Sequence, residues 1–199
     1  MIPAREALAR LREGNRRFVA GMPGPTDGPS AGQDPFAIIL GCSDSRVPVE
    51  LVFGQAFGDL FVIRVAGNIV APSQVGSVEF ATERFSTRLA VVLGHTQCGA
   101  VAATLEELWQ PQGYESPNLR AIVDRIRPAV EPLLNTPVAQ NTQALAELAT
   151  RANVQASVNH LRHGSALLER RIERDGLLIV GAEYCVEEGT VEFFDGVPA

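Results

Sequence analysis

The fold is indicated by two stretches that share one pattern, FAIILGCSDSR (residues 36–46) and LAVVLGHTQCG (residues 89–99). Each begins with a short run of apolar residues and Gly, which is typical of a strand buried on both faces of a sheet. Each then passes without a linker into a cluster of polar side chains. Because ligand sites of open α/β sheets lie at the carboxyl ends of parallel strands, we expect both clusters at one edge of a sheet.

Further apolar runs alternate with helical patterns along the chain. LFVIRVAG (60–67) and LLIVGAEY (177–184) are predicted strands, and TVEFF (190–194) is a predicted edge strand. Gly164 divides the longest helical pattern, and Ser165 is the expected N-cap of its second half. This alternation predicts an α/β fold with a central, mostly parallel β-sheet and helices on both faces. The segments with helical spacing of apolar residues are 74–85, 100–109, 119–130 and 138–175.

The amino-terminal part of the chain has a different character. Residues 3–20 space their apolar side chains as an amphipathic helix does, and residues 21–35 are rich in Pro and Gly. We expect a single domain over residues 1–199, in which residues 1–35 form a helical arm with its loop and residues 36–199 form the α/β core. The apolar face of the arm needs a surface against which to pack.

Length and composition exclude several classes of protein. The chain has 199 residues, of which 46% are hydrophobic, so one domain can bury enough surface to fold without disulfide bonds. The net charge of −6 argues against a nucleic-acid partner, since phosphate binding needs clustered positive charge. The apolar runs are too short to cross a membrane and the amino terminus does not resemble a secretory signal. We therefore expect a cytoplasmic protein with no membrane partner.

Two cysteines and one histidine belong to the polar clusters. Cys42 follows the first quoted strand, and His95 and Cys98 follow the other. If those strands are neighbours, two thiols and an imidazole converge on one point. This ligand set suits Zn²⁺, and three protein ligands with a fourth position open are typical of a catalytic zinc. The other cysteine and histidines lie in different contexts and are left out of the predicted site: Cys185, His160 and His163.

Asp44 and Arg46 are two residues apart, so in an extended segment their side chains point the same way. One interpretation is a local ion pair that fixes the loop. The other is functional, because Asp44 is only two residues from Cys42. It can either bind the metal or accept a hydrogen bond from a metal-bound hydroxide, with Arg46 holding the carboxylate off the metal. We favour the functional interpretation.

CSDSRV (42–47) together with HTQCG (95–99) resembles the signature pair of the β-class carbonic anhydrases, in their plant-type branch. The resemblance continues through FVIRVAGN (61–68), VGSVEFA (75–81) and GAEYCVEEGTVEFF (181–194). It therefore covers nearly the whole chain, and the two motifs have the spacing that the family shows.

This resemblance implies a metal centre and a reaction. One Zn²⁺ per chain is held by Cys42, His95 and Cys98, and water or hydroxide takes the fourth position when Asp44 pairs with Arg46. In an inactive form Asp44 itself is the fourth ligand. The implied reaction is the reversible hydration of carbon dioxide to bicarbonate and a proton by a zinc-bound hydroxide.

The resemblance also implies the residues that bind the substrate. Gln33 matches the hydrogen-bond donor for bicarbonate, while Phe61, Ala66 and Phe80 match the apolar lining of the carbon dioxide pocket. Gly99, next to the last ligand, would let a backbone N–H approach the metal or its anion. Without the family, all four matching residues would be interpreted as structural, with Gln33 as a loop residue and the two phenylalanines as core.

In this family the amino-terminal helix embraces a partner subunit and the active site lies at the dimer interface. We therefore expect a homodimer or a dimer of dimers, with carbon dioxide and bicarbonate as small-molecule partners. Ile39 stands where the bicarbonate-inhibited bacterial branch carries Trp, although Arg64 and Tyr184 match the rest of that site. We expect no bicarbonate escape site beside Arg64.

Three alternative functions follow from the same residues. A hydrolase of carbonyl sulfide or carbon disulfide would keep the zinc ligands on the same scaffold. A zinc-binding homologue without turnover is disfavoured, since metal storage does not require Asp44, Arg46 or Gln33. A redox pair of Cys42 and Cys98 is disfavoured because the Cys-x-x-Cys spacing is missing.

Overall fold

The computed structural model describes residues 2–25, 32–111, 113 and 116–198. Within these ranges one sheet contains five strands: β1 Ala37–Gly41, β2 Leu60–Arg64, β3 Leu89–His95, β4 Leu178–Tyr184 and β5 Val191–Asp195. The same ranges contain seven α-helices: α1 Ala4–Val19, α2 Val49–Val52, α3 Pro72–Arg84, α4 Gly99–Trp109, α5 Pro117–Val130, α6 Thr142–His163 and α7 Ala166–Asp175.

The strands are arranged in the order β2-β1-β3-β4-β5. β1 pairs in parallel with β2 and β3, and β3 pairs in parallel with β4, whereas β5 is antiparallel to β4. The predicted α/β fold, the mostly parallel sheet and the edge strand are confirmed. Gly41 is the register partner of Leu93, so β1 and β3 end at the same edge of the sheet.

Helices cover both faces of the sheet, as predicted. On one face, α1 and α2 pack against alternate strand residues such as Ile39. On the other face, α3, α6 and α7 pack against the intervening residues such as Ile38. Helix α6 approaches the sheet closely at Gly94, where an added Cβ would lie 2.5 Å from the Val154 side chain. Only a glycine at this position allows that approach.

Some element boundaries differ from the prediction. β2 ends at Arg64 because Ala66–Asn68 form a 3₁₀ turn in which Gly67 has a φ of 69°. No sequence pattern predicts the four-residue helix α2. The long helical pattern is divided as predicted, and the hydroxyl of Ser165 accepts a hydrogen bond from the backbone N–H of Leu168 at 3.2 Å.

Helix α1 packs on its own chain. It buries Ala7, Leu8 and Leu11 in the cluster that covers one face of the sheet. Gly14 lies so close to the end of α2 that a Cβ there would overlap the carbonyl oxygen of Phe53. The apolar face of the helix therefore packs within the chain, and the expectation that the arm also embraces a partner subunit stays a prediction.

Two further predictions concern the loop after α1 and membrane-spanning helices. Part of the predicted Pro- and Gly-rich loop, residues 26–31, lies outside the described residues. Among the helices that the structure describes, none has the length and apolar character needed to span a membrane.

Candidate metal centre

The ends of β1 and β3 bring the predicted metal ligands together. Cys42 follows β1, His95 ends β3, and Cys98 precedes α4. One ligand atom from each residue lies within 4.8 Å of the other two, and all three side chains are buried. These residues could therefore hold a metal ion. The residues left out of the prediction do not belong to this group: Cys185, His160 and His163.

The imidazole of His95 is oriented for a metal. Its Nδ1 lies 2.9 Å from the carbonyl oxygen of Thr96, to which it donates, so the neutral ring has its lone pair on Nε2. This Nε2 is buried and has no hydrogen-bond partner among the described residues. A buried acceptor is costly without a partner. The orphaned nitrogen beside two thiols therefore fits a zinc ion.

The two thiols differ in their acidity. The Cys98 thiol donates a hydrogen bond to the sulfur of Cys42, which lowers the pKa of Cys42 to about 3 and raises the pKa of Cys98. The backbone N–H of Gly67, 3.3 Å from Cys42 Sγ, stabilises the same thiolate. Because thiolates are the metal-binding form, Cys42 is prepared for a cation, and Cys98 releases its proton when a cation binds.

Asp44 and Arg46 form a bidentate ion pair beside these ligands. Arg46 Nε and Nη2 lie 3.0 and 2.8 Å from the two carboxylate oxygens, and the Arg46 backbone N–H lies 2.9 Å from Oδ1. These bonds hold the pKa of the Asp44 carboxyl well below its usual range. The carboxylate is therefore an acceptor at neutral pH. Its Oδ2 is also 3.9 Å from His95 Nε2, the ring nitrogen that has no hydrogen-bond partner among the described residues.

Arg64, the last residue of β2, contacts the loop that follows β1. Its Nε donates to the carbonyl oxygen of Cys42 at 3.0 Å, and its Nη2 donates to that of Asp44 at 2.6 Å. The guanidinium thus fixes the backbone on both sides of the loop. The absence of a bicarbonate site beside Arg64 stays a prediction.

Two of the predicted pocket residues lie at the ligands. Ala66 begins the 3₁₀ turn in which the Gly67 N–H contacts Cys42. Gly99 is the first residue of α4 and follows Cys98 directly. Apart from its chain neighbours and its own helix, no described atom lies within 4 Å of a Cβ placed on Gly99. Open space therefore adjoins the ligands on this side.

Gln33 lies at the other end of the sheet. A Cβ placed on Gly58, just before β2, would be 3.3 Å from Gln33 Cα, and the neighbouring Asp34 N–H donates to the Gly58 carbonyl at 3.2 Å. Gln33 is therefore at the amino ends of β1 and β2. The whole of β1, about 16 Å of extended chain, separates this region from Cys42.

Phe61 and Phe80 belong to an aromatic cluster. Their ring centroids are 6.1 Å apart, and both rings contact Phe85. Phe61 is the second residue of the edge strand β2, and Phe80 is 53% exposed. Together with Gln33, this cluster places three of the predicted substrate residues away from the metal ligands of the same chain.

The structure adds two residues that no sequence pattern indicates. Gln97 accepts a hydrogen bond from Arg46 Nη1 at 3.1 Å and donates from its Nε2 to Glu187 at 2.8 Å. Glu187 follows β4, so its contact with Gln97 depends on the pairing of β3 with β4. Gln97 also has a left-handed φ of 58°, a conformation for which the sequence signal is usually Gly.

Comparison with known proteins defines the class. Residues 37–191 match the family model described as carbonic anhydrase. Carbonic anhydrase 2 of Mycobacterium tuberculosis (strain CDC 1551 / Oshkosh) is 38% identical over 201 residues, which cover 96% of this chain and 93% of that protein.

Solved structures agree with this class. The β-carbonic anhydrase CcaA has a TM-score of 0.71 and 28% identity, covering 97% of this chain and 90% of that chain. A tetrameric β-carbonic anhydrase from the filamentous ascomycete Sordaria macrospora shares the fold, with a TM-score of 0.72 and 23% identity, covering 94% of this chain and 90% of that chain. The chain therefore belongs to the β-carbonic anhydrase family of enzymes.

Membership in this family implies the hydration of carbon dioxide. The three relatives carry the name carbonic anhydrase, which gives no support to a carbonyl sulfide or carbon disulfide hydrolase. The plant-type branch stays a prediction.

Proposed function

We propose that the protein catalyses the zinc-dependent, reversible hydration of carbon dioxide to bicarbonate and a proton. The observation that supports this most strongly is the buried group of Cys42, His95 and Cys98, with its orphaned Nε2, beside the Asp44–Arg46 pair. A zinc ion held there would act as a Lewis acid that lowers the pKa of water and so supplies hydroxide at ordinary pH. One ion per chain matches the one ligand group of this kind among the described residues.

Asp44 orients the nucleophile. Its Oδ2 faces the same space as His95 Nε2, at 3.9 Å, and the carboxylate is ionised at neutral pH. As an acceptor it takes a hydrogen bond from the attacking hydroxide, which leaves a lone pair directed at the carbon of the substrate. Arg46 holds both carboxylate oxygens and so keeps Asp44 away from the ligand position. If that pair opened, Asp44 would be the residue to supply a fourth ligand to an ion held there, since its Oδ2 lies 3.9 Å from His95 Nε2.

The substrate approaches from the side of Ala66 and Gly99. Carbon dioxide is small and apolar, so a methyl group and open space beside a backbone turn are sufficient to admit it. Bicarbonate formation also needs a hydrogen-bond donor for the developing charge, and Gln33 is the proposed donor. Since β1 separates Gln33 from the ligands of its own chain, a second copy of the chain is the proposed source of this side chain.

The proposed assembly is a homodimer, or a dimer of dimers. β2 is an edge strand, and the aromatic cluster on it leaves Phe80 half exposed. An unpaired strand edge beside an exposed aromatic ring is typical of an interface. The two Sordaria macrospora enzymes are described as tetrameric, which supports the association of chains with this fold. A single domain over residues 1–199 and a cytoplasmic location stay predictions.

Stopped-flow hydration of carbon dioxide tests the proposed function. Protein of known zinc content is assayed from about pH 6.5 to 9, a range that covers the ionisations expected of such a site. Turnover that rises in proportion to zinc content, up to one ion per chain, is the expected result. Full zinc content without turnover at any pH would contradict the proposal. Release of hydrogen sulfide from carbonyl sulfide would then identify the sulfur-substrate alternative.

A further inference from the structure

Arg46 has a second set of partners in addition to Asp44. Its Nη1 donates to Gln97 Oε1 at 3.1 Å, and its Nη2 donates to the Gln97 carbonyl oxygen at 3.2 Å. Gln97 Nε2 in turn donates to Glu187 Oε1 at 2.8 Å. A continuous series of hydrogen bonds therefore extends from Asp44, through Arg46 and Gln97, to the loop between β4 and β5.

The contacts with Gln97 further restrict the Arg46 side chain, which Asp44 holds on one side only. The Arg46 side chain is 47% exposed, and a long exposed arginine loses much rotamer freedom when it is held in one place. Asp44 alone holds one side of the guanidinium. Gln97 binds the other side, so the Arg46 guanidinium lies between two hydrogen-bonding partners, Asp44 and Gln97. Fewer orientations then remain in which Arg46 faces away from Asp44.

The backbone of Gln97 gives independent support. Its φ of 58° lies in the left-handed region, which costs free energy for any residue other than Gly. Glycine would relieve that strain but would remove the side chain between Arg46 and Glu187. A side chain amide has both an acceptor for the guanidinium and a donor for the carboxylate. Gln97 uses both groups, since its Oε1 accepts from Arg46 and its Nε2 donates to Glu187.

We propose that Gln97 and Glu187 are positioning residues that hold Arg46 against Asp44 and thereby keep the carboxylate off the metal. This rests on the proposed function, in which Asp44 either pairs with Arg46 or becomes the fourth ligand. Glu187 fixes the orientation of the Gln97 amide, and Gln97 fixes the guanidinium. When either is lost, Arg46 releases Asp44 more often, and the carboxylate moves toward the ligand group.

This role predicts two changes in opposite directions. Activity falls, because a carboxylate in the fourth position leaves no room for the nucleophile. Zinc is retained longer, because four protein ligands replace three. Simple damage to the loop has a different result, since a disordered ligand loop releases zinc faster.

The test uses the zinc-loaded full chain and two variants, Gln97→Gly and Glu187→Ala. Zinc transfer to the chromophoric chelator 4-(2-pyridylazo)resorcinol, carbon dioxide hydration and Tm are measured for each. We expect zinc transfer to slow by about three- to tenfold and kcat to fall by a similar factor, the range that corresponds to the net contribution of one ordinary hydrogen bond. Because Gln97→Gly relieves a left-handed backbone, its Tm should not fall.

Matched variants separate the effect of the Glu187 contact from the effect of removing a negative charge from the same loop. Glu188→Ala removes the same charge from the same loop, but Glu188 contacts Thr190 at 3.3 Å, so zinc transfer should match that of the wild type. Glu187→Gln keeps an acceptor for the Gln97 amide and should restore most of the activity lost in Glu187→Ala. Adding Asp44→Asn to Gln97→Gly should abolish the slow transfer, since an amide is a poor zinc ligand.

Unchanged or faster zinc transfer in both Gln97→Gly and Glu187→Ala would overturn the positioning role. Slow transfer that persists after Asp44→Asn would overturn it as well. Wild-type protein that holds zinc but does not hydrate carbon dioxide would instead overturn the proposed function. Zinc transfer is measured without substrate, so the two failures are distinguishable.

Discussion

The two ends of the central sheet differ in how much of the site a single chain supplies. At the carboxyl ends of β1 and β3, one chain provides the whole ligand group and the aspartate–arginine pair. At the amino ends of β1 and β2 lie Gln33 and the ring of Phe61, about one strand length away. The candidate metal ligands are therefore local to one end of the sheet, whereas the proposed recognition of the substrate requires the other end of a second copy to come close to them.

The largest effect is expected from breaking the ligand group. Cys98→Ser should lower the zinc content from one ion per chain to below about 0.1 and the activity by at least about 100-fold, because a hydroxyl replaces a thiolate ligand. Metal analysis by mass spectrometry and stopped-flow assays measure both. Cys185→Ser is the control, since Cys185 is outside the group and should keep zinc and activity. Full zinc in Cys98→Ser would contradict the ligand assignment.

Asp44→Asn separates catalysis from metal binding at the same edge. The amide keeps the shape of the side chain but loses the charge, so zinc content should stay at one ion per chain while kcat falls by about 100-fold. The assay is again stopped-flow hydration at measured zinc content. A variant with full zinc and full activity would show that the Asp44–Arg46 pair is only a structural ion pair.

Gln33→Ala tests the opposite edge. The loss of one donor to the developing bicarbonate should lower kcat/KM by about 10- to 100-fold. Zinc content and Tm should not change, because Gln33 lies far from the ligands of its own chain. Gln55→Ala would be a poor control, since that amide is buried and bonded to Phe53. Gln143→Ala, on the exposed surface of α6, is the matched control and should leave kcat/KM unaltered.

The comparison also explains which parts of the molecule the sequence predicts. β1 and β3 are recognisable because buried parallel strands are apolar throughout, and the polar clusters that follow mark their carboxyl ends. The segments that pack against the sheet, and the distances between them, are harder to predict from the sequence. An amphipathic pattern shows that α1 buries one face, but not that this face packs on its own chain. Likewise, the nine-residue separation of Gln33 from Cys42 does not show that a whole strand lies between them.

The contact of Gln97 with Glu187 escapes prediction for a related reason. It joins positions 90 residues apart, through the pairing of β3 with β4. Local patterns contain no information on which strands become neighbours. The left-handed φ of Gln97 is equally hidden, since the residue type gives no sign of it.

The smallest effect is expected at Glu183, which is the register partner of Gly94 on β4. Burial raises the pKa of Glu183, although Arg151 partly opposes this. The folded chain therefore holds this proton more tightly than the unfolded chain, and stability is lost as the pH rises through the folded pKa. Glu183→Gln should raise Tm at pH 8 by at most about 2–4 °C, with the difference disappearing toward pH 4.

Glu192→Gln is the matched variant of opposite sign. A hydrogen bond from Arg151 lowers the pKa of Glu192, so its contribution to stability is present above the unfolded pKa and is lost as the pH falls through the folded pKa. This variant should lower Tm slightly at pH 8. Both variants should keep zinc and activity, because neither residue belongs to the ligand group. Equal signs for the two Tm shifts would contradict the stated causes.

The most direct measurement tests whether one active site uses residues from both ends of the sheet, taken from two copies of the chain. A Gln33→Ala chain and an Asp44→Asn chain, each with a different affinity tag, are coexpressed, and the mixed dimer is purified and assayed. If each site takes Gln33 from the partner, one of the two sites in the mixed dimer is intact, and the activity should recover to about half of the wild-type value. A mixed dimer no more active than its two parents would contradict a site shared between two copies.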